Sequence, residues 1–189
     1  MPLRISFNLG DADLQHFQEV AQQASASARS SESIIAAARA VLEAAERAQL
    51  ADFVKERFAR LRAILTMAED PDWPLGAEDS QRLLNALACF GAPPGTAGAV
   101  NIGFLDQAIM IELVSRDLEH DLAAYRDFTK FRELKMKQRR RPGADQDAQR
   151  EQWLQQRREL LQERMHERRK RTLDAAGSSV RKLFSLFGL

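Results

Sequence analysis

Apolar residues recur every three or four positions along most of this chain, which is the period of an amphipathic helix. The pattern predicts a first helix from Asp11 to about Ala28. Ser31 is placed to cap a second helix, and a bend near Gln49 separates it from a third. The proline-containing loop EDPDWPLG ends the third helix, and a fourth is predicted over Ala77 to Phe90.

Residues 4–9, RISFNL, instead alternate apolar and polar side chains as a β-strand does. The sequence offers no second strand to pair with them. We therefore expect an extended arm that packs on the helices.

A Gly- and Pro-rich loop leads into the longest predicted helix, about Phe104 to Lys135. Its first half, FLDQAIMIELV, is apolar almost all round, which indicates a central helix packed on several sides. The motif RRRPG then ends the helix, and Pro142–Gly143 marks a domain boundary. The sequence thus predicts an all-α fold, a helical bundle with a long central helix and a C-terminal helical extension.

The boundary divides the chain into a helical body, residues 1–141, and a basic helical extension, residues 142–189. The helical signal of the extension continues to about Ala175, but its apolar residues are sparse. Trp153 and Leu160 are seven residues apart, as are Leu154 and Leu161, which is enough for a narrow seam and too little for a core. We expect a projecting helix or a short coiled coil.

The net charge of +1 conceals an uneven distribution. Residues 130–189 hold 17 Lys and Arg against 8 Asp and Glu, a net charge of +9, whereas residues 1–129 hold 11 against 19, a net charge of −8. Two interpretations stay open: the basic part binds an anionic partner, or it pairs with the acidic body.

Cysteine use and hydropathy indicate the compartment. Cys89 is the only cysteine, so no internal disulfide forms, as is usual in a reducing environment. The amino terminus has no apolar run of signal-peptide length, and the longest apolar stretch, Gly103 to Val114, is too short to span a bilayer. We therefore expect a cytoplasmic protein.

The segment GFLDQAIMIELVSRDLEHDLAAYRDF resembles the core of the bacterial YkvA-like family, also called domain of unknown function 1232. Gly103, Phe104, Leu105 and Asp106 match the Gly-[Phe/Tyr]-Leu-Asp end of the family motif. The apolar helix that follows matches in length, and Arg116 matches the arginine near its end.

The resemblance covers residues 81–131 and includes the acidic residue Glu112 in the matching helix. The chain has GAPPGTAGAVNI in place of the acidic Ile-Pro-Asp segment of the family, and Gln107 replaces the second Asp of its Leu-Asp-Asp. The resemblance implies an all-helical fold, and the family has no established activity to transfer.

No catalytic, cofactor-binding or metal-binding residue is predicted. Asp106 and Glu112 are six residues apart, so they lie about 240° apart around a helix and cannot act as an acid/base pair. Asp106 is expected to cap its helix, and Glu112 to pair with Arg116 one turn later, with a buried Glu112 of shifted pKa as the alternative. Glu163 and His166 form a Glu-x-x-His pair without the second copy that a di-iron bundle requires.

Two basic clusters could neutralise phosphates, although they lack the interleaved aromatic residues of a specific nucleic-acid interface. Any nucleic-acid binding through them is expected to be non-specific and sensitive to salt. The residues are Lys135, Lys137, Arg139, Arg140, Arg141, Arg168, Arg169, Lys170 and Arg171.

The last ten residues predict a short cationic amphipathic helix. One arc of its helical wheel is apolar, and the other carries Arg181 and Lys182. The segment suits an anionic membrane surface, but it could equally dock on the body, on a second subunit or on another protein. The apolar arc consists of Val180, Leu183, Phe184, Leu186 and Phe187.

These features together predict a non-enzymatic interaction or scaffold protein. Its expected partners are a protein or a second copy of the chain, with an anionic membrane surface at the inner face of the membrane as a further candidate. Non-specific nucleic-acid binding through the extension is the alternative hypothesis. A third hypothesis is an enzyme that uses Asp106 and Glu112.

Overall fold

The computed structural model describes residues 10–13, 15, 19, 29–90, 104–138 and 144–175, with only the backbone for residues 138 and 144–147. The fold is all-α, as predicted, and no described residue lies in a strand. Residues 11–13, 15 and 19 are helical, whereas the expected arm at residues 4–9 and most of the first helix lie outside the described residues. Six helices follow: α1 (Ser31–Arg47), α2 (Asp52–Glu69), α3 (Ala77–Ala88), α4 (Phe104–Asp117), α5 (Glu119–Gln138) and α6 (Ala144–Ala175).

The first two of these helices form an antiparallel hairpin. The cap of α1 is Ser30, whose hydroxyl accepts a hydrogen bond from the Ser33 N–H at 3.3 Å, so the predicted cap at Ser31 is wrong by one residue. Both residues are serines, and local sequence alone does not choose between them. The predicted bend near Gln49 is confirmed, because α1 ends at Arg47 and α2 begins at Asp52.

The core lies between α2 and the helices around it. Helix α2 packs against α1, α4 and α5, and α1 packs against α3. The apolar stripes that predict the helices are the faces that become buried, as in α1, where the buried residues are Ile34, Ala38, Leu42 and Ala45. Trp73, from the loop after α2, is almost fully buried and packs against Tyr125 and Phe128.

The predicted long central helix is interrupted at Leu118, which separates α4 from α5. The helical hydrogen bonds carry on across the interruption, from Leu118 N–H to Val114 O and from Leu122 N–H to Leu118 O, each at 2.9 Å. Helix α4 packs on α2, whereas α5 packs mainly on α6. One nearly continuous helix therefore joins the two sides of the bundle.

Helix α6 runs antiparallel to α5 and packs along it, so the expectation of a projecting helix is wrong. Leu154, Leu161 and Met165 are buried in the same core as the residues of the body. The other apolar pair, Trp153 and Leu160, stays 37% exposed. The spacing of seven therefore identified one buried pair, but the prediction that these residues are too few to contribute to a core is wrong.

Candidate functional site

A cluster of ionisable side chains, all buried except that of His166, lies where α3, the α4–α5 junction and α6 meet. Arg82 Nη1 donates to Asp117 Oδ2 at 3.2 Å, and Arg82 Nη2 donates to Asp121. Arg169 donates to Asp79 and to Asp121, at 2.8 Å in both cases. His166 Nε2 lies 2.7 Å from Asp79 Oδ2. We call these six residues the ion cluster: Asp79, Arg82, Asp117, Asp121, His166 and Arg169.

Each of three helical segments supplies two members of the ion cluster at a spacing that places them on one face. Asp79 and Arg82 are three apart on α3, and His166 and Arg169 are three apart on α6. The third pair is four apart and flanks Leu118, where the helical hydrogen bonds continue. The two members from each segment therefore reach the same cluster from one face of their helix.

Sequence analysis missed four members of the ion cluster and misplaced a fifth. Arg169 was expected in a solvated basic patch, but it is only 8% exposed, because its guanidinium bridges Asp79 and Asp121. The spacings of three and four residues were visible in the sequence. Their partners lie between 35 and 90 residues away, so no local pattern could identify the pairing.

Apart from His166, the ion cluster holds three carboxyl groups and two guanidinium groups, so these five groups are neutral together when one carboxyl group carries a proton. Burial, with the neighbouring Asp121, raises the pKa of Asp117 to about 6 against the opposing effect of Arg82. Burial by itself would also raise the pKa of Asp79, but hydrogen bonds with Arg169 and His166 outweigh it and hold that pKa below its usual range. Asp117 Oδ1 has no hydrogen-bond partner among the described residues. Asp117 is thus the carboxyl group that takes up a proton most readily.

The variant Asp117→Asn tests this assignment. The folded-state pKa of about 6 lies above the ordinary 3.8, so ionised Asp117 destabilises the fold above pH 6 and this cost disappears as the pH falls. At roughly 1.4 kcal/mol per pKa unit, the natural chain should gain up to about 3 kcal/mol between pH 8 and pH 4 from this group alone. Urea unfolding at several pH values should show that this gain is missing in the variant.

The exposed carboxyl group of Asp127 on α5 provides the control for that measurement. Asp127→Asn should leave the pH dependence of the natural chain unchanged. Equal pH dependence in the natural chain and in Asp117→Asn would show that Asp117 does not titrate in this range.

A second charged group fixes the loop that follows α2 onto α5 and α6. Arg132 donates to Asp70 at 2.9 Å and to Asp72 at 3.0 Å, Arg150 donates to Asp72 at 3.2 Å, and the Tyr125 hydroxyl donates to Asp70 at 2.7 Å. Burial would raise the pKa of Asp70, yet the bonds from Arg132 and Tyr125 keep it below its usual range. Burial and the bond to Asp70 raise the pKa of Tyr125 to about 12. This group holds Trp73 in the core and is structural.

An open groove of about 1210 Å³ lies between α2 on one side and the nearly continuous helices α4 and α5 on the other. Thr172 of α6 lies at one end of it. Its α2 wall includes the small side chains of Ala59, Ala63 and Thr66 beside Arg60 and Arg62, and its opposite side includes Leu122. Charged side chains from both walls form the rim. We call this feature the groove.

The described residues of the family motif all lie on α4. Glu112 pairs with Arg116 at 3.4 Å, as predicted, and also with Arg57 at 3.3 Å and Arg60 at 2.7 Å on α2. Asp106 is exposed in the first turn of α4 and does not approach Glu112, in agreement with the helical spacing.

The apolar members of the motif pack towards the body. Phe104 packs edge-on against Phe58, with ring centroids 5.6 Å apart, and Leu105 is half-buried. Gly103 lies outside the described residues. The motif therefore joins α4 to α2 and does not build a catalytic pair.

The described basic residues of the two predicted clusters lie near the end of α5 and in the last turns of α6. Lys135 covers the rings of Phe131 and Trp153, and Lys137 is exposed near the end of α5. Arg168, Lys170 and Arg171 are exposed in the last turns of α6, where Arg171 pairs with Glu167. Residues 139–141, with Arg139, Arg140 and Arg141, lie outside the described residues, as do Val180 to Phe187 of the amphipathic segment.

The other candidate reactive groups are one cysteine and two histidines, and each contacts residues of the fold. Cys89 is buried, and burial raises the pKa of its thiol to about 12. His166 contacts Asp79, not Glu163, and His120 Nε2 lies 2.8 Å from the Thr172 hydroxyl. In the described part of the chain, no three His, Cys, Asp or Glu side chains are grouped so that they could hold a metal ion.

Comparison with known proteins returned no family model, no curated protein and no solved structure that matches the chain. The resemblance to the YkvA-like family therefore stays a prediction that rests on the residues quoted above. Among the described helices, none has the length and apolarity needed to cross a membrane.

Proposed function

We propose that this chain is a non-enzymatic interaction protein that attaches to an anionic membrane surface through its C-terminal amphipathic segment. The observation that carries the proposal is the fixation of the last turns of α6 on the body. His166 and Arg169 bind Asp79, Arg169 also binds Asp121, and Thr172 contacts His120. Helix α6 thus stays docked almost to Ala175, directly before the amphipathic segment begins in the sequence.

Charge supports the same proposal. Arg168, Lys170 and Arg171 are exposed in these last turns, and Arg181 and Lys182 follow within the segment. Each basic residue close to an anionic surface contributes about 1 kcal/mol, so five of them add a substantial second signal to the apolar arc. Stable attachment to a membrane surface generally requires two such contributions, here an apolar one and an electrostatic one.

The helical body would then hold a partner at the inner face of the membrane, in the manner of a scaffold. The partner we propose is another protein or a second copy of the chain. The groove, with small side chains on one wall and charges along its rim, is the surface of the body that suits such contacts.

Non-specific nucleic-acid binding, the alternative that the sequence indicates, would need the two basic clusters to act together. The described members of the two clusters lie at opposite ends of the antiparallel α5–α6 pair. The 16 residues from Trp153, which Lys135 contacts, to Arg169 place them about 24 Å apart at 1.5 Å per residue. Lys135 is also held against aromatic rings, and Arg169 is buried.

Co-sedimentation with vesicles tests the proposal. Vesicles of 30% phosphatidylserine in phosphatidylcholine should pellet the full chain but not a chain that ends at Gly177, and pure phosphatidylcholine should pellet neither. Phe184→Ser with Phe187→Ser should also abolish pelleting, because the apolar arc is lost while all charges remain.

Two results would overturn membrane attachment. The first is a full chain that stays in solution with both kinds of vesicle. The second is a truncated chain that pellets as well as the full one. Retardation of a DNA duplex by both chains, steeply reduced by salt, would then favour the nucleic-acid alternative.

A further inference from the structure

The lining of the groove suits an amphipathic helix, because small side chains on one wall are bordered by charged side chains. Its α2 wall presents Ala59, Ala63 and Thr66, which are exposed and follow each other at spacings of four and three residues along one face. Leu113 and Leu122 lie below them. Small side chains on one wall leave room for large apolar side chains of a bound helix, which is the arrangement of helix-in-groove recognition.

The groove is lined by charges of both signs, and several of them have partners, whereas the exposed Arg126 pairs with no carboxylate of the described residues. Glu112 binds Arg60 and Arg116, and Arg62 binds Glu46 outside the groove. At one end of the groove, Glu119 lies 3.5 Å from His120 Nε2, and at the other end Glu133 has no lysine or arginine partner among the described residues. A cationic helix would therefore meet Glu119 and Glu133 at the two ends of the groove, with Arg126 between them.

The groove begins where α6 ends. Thr172 lines one end of it, and α6 finishes three residues later at Ala175. Along α5 the groove extends from Glu119 to Glu133, a distance of about 21 Å at 1.5 Å per residue. The ten residues from Val180 to Leu189 would span about 15 Å as a helix, and residues 176–179, AGSS, are enough for the turn between them.

We propose that the chain's own amphipathic segment, Val180 to Leu189, occupies this groove when no membrane is present. Its apolar arc would pack between Ala63 and Leu122, and its basic residues would face the carboxylates of the rim. The inference rests on the proposed function in one respect, since the same apolar arc serves both. Groove docking and membrane attachment then exclude each other, and the docked state is autoinhibited.

Disulfide trapping tests the docked state without any membrane. In a Cys89→Ala background, Leu186→Cys is combined with Ala63→Cys or with Thr129→Cys on the two walls of the groove, and with Glu163→Cys on the exposed side of α6 as the control. Mild oxidation should give an intramolecular disulfide at least tenfold faster with a groove cysteine than with the control. Rates that equal the control at both groove positions would overturn the inference.

A second variant connects the groove with the membrane. Ala63→Trp fills the groove from an exposed position, so it should release the segment and increase vesicle affinity at least fivefold, with an unchanged melting temperature showing that the body stays folded. Trapping without vesicle binding by any variant would support groove docking and reject membrane attachment. Vesicle binding that is equal in the natural chain and Ala63→Trp, with no trapping, would reject groove docking alone.

Discussion

Arg169→Met is expected to lower the free energy of unfolding by about 3–5 kcal/mol at pH 7, because it leaves buried carboxylates without their counter-charge. The guanidinium of Arg169 bridges Asp79 and Asp121, each less than 10% exposed. Its loss leaves three carboxyl groups beside Arg82 and His166. Methionine keeps most of the apolar volume of the side chain, so the effect reports the charge and hydrogen bonds more than packing.

The adjacent residue provides the matched control. Arg168 is exposed, and Arg168→Met should change stability by less than about 0.5 kcal/mol in the same urea titration. The loss in Arg169→Met should also shrink at pH 5, since protonation of Asp117, whose pKa burial raises to about 6, removes part of the buried negative charge. A loss that is equal for both variants, or independent of pH, would contradict the role of Arg169 in the ion cluster.

Leu161→Ala is expected to cost about 2–5 kcal/mol, the range for a buried leucine whose removal leaves a cavity. Leu161 is 5% exposed and belongs to the seam that joins α6 to the core, together with Leu154 and Met165. If α6 were a separate projecting helix, this substitution would have little effect on the unfolding of the body.

Leu160→Ala is the matched control. It is the same chemical change one residue earlier, at a side chain that is 37% exposed. It should cost less than about 1 kcal/mol. Both variants are measured by urea unfolding, followed by circular dichroism and by tryptophan fluorescence. A single cooperative loss in Leu161→Ala, seen by both probes, would confirm that α6 folds with the body, and equal small effects of the two substitutions would refute it.

The positions of the helices were predictable because each depends on neighbours a few residues away. The apolar period placed α2, α3 and α4, and the proline-containing loop ended α2 close to Glu69. The break between α1 and α2 was expected near Gln49 although no glycine or proline marks it. Errors at this level were small, such as the cap at Ser30 in place of Ser31.

The candidate sites were far less predictable. Sequence spacing correctly paired Glu112 with Arg116, but it gave no sign of Arg57 and Arg60, which come from another helix. It also grouped Arg169 with exposed basic residues, because charge density along a helix does not reveal which side faces the core. The groove is formed by walls on α2 and α5, and neither wall defines it alone.

The all-α class and the helical segments follow from the order of residues alone, since the period of apolar side chains is a property of one helix at a time. The docking of α6, the ion cluster and the groove were decided only by the packing of helices. The ion cluster illustrates the reason: its hydrogen bonds between helices join residues 35 to 90 positions apart, and a buried charge is stable only where that packing supplies its partner.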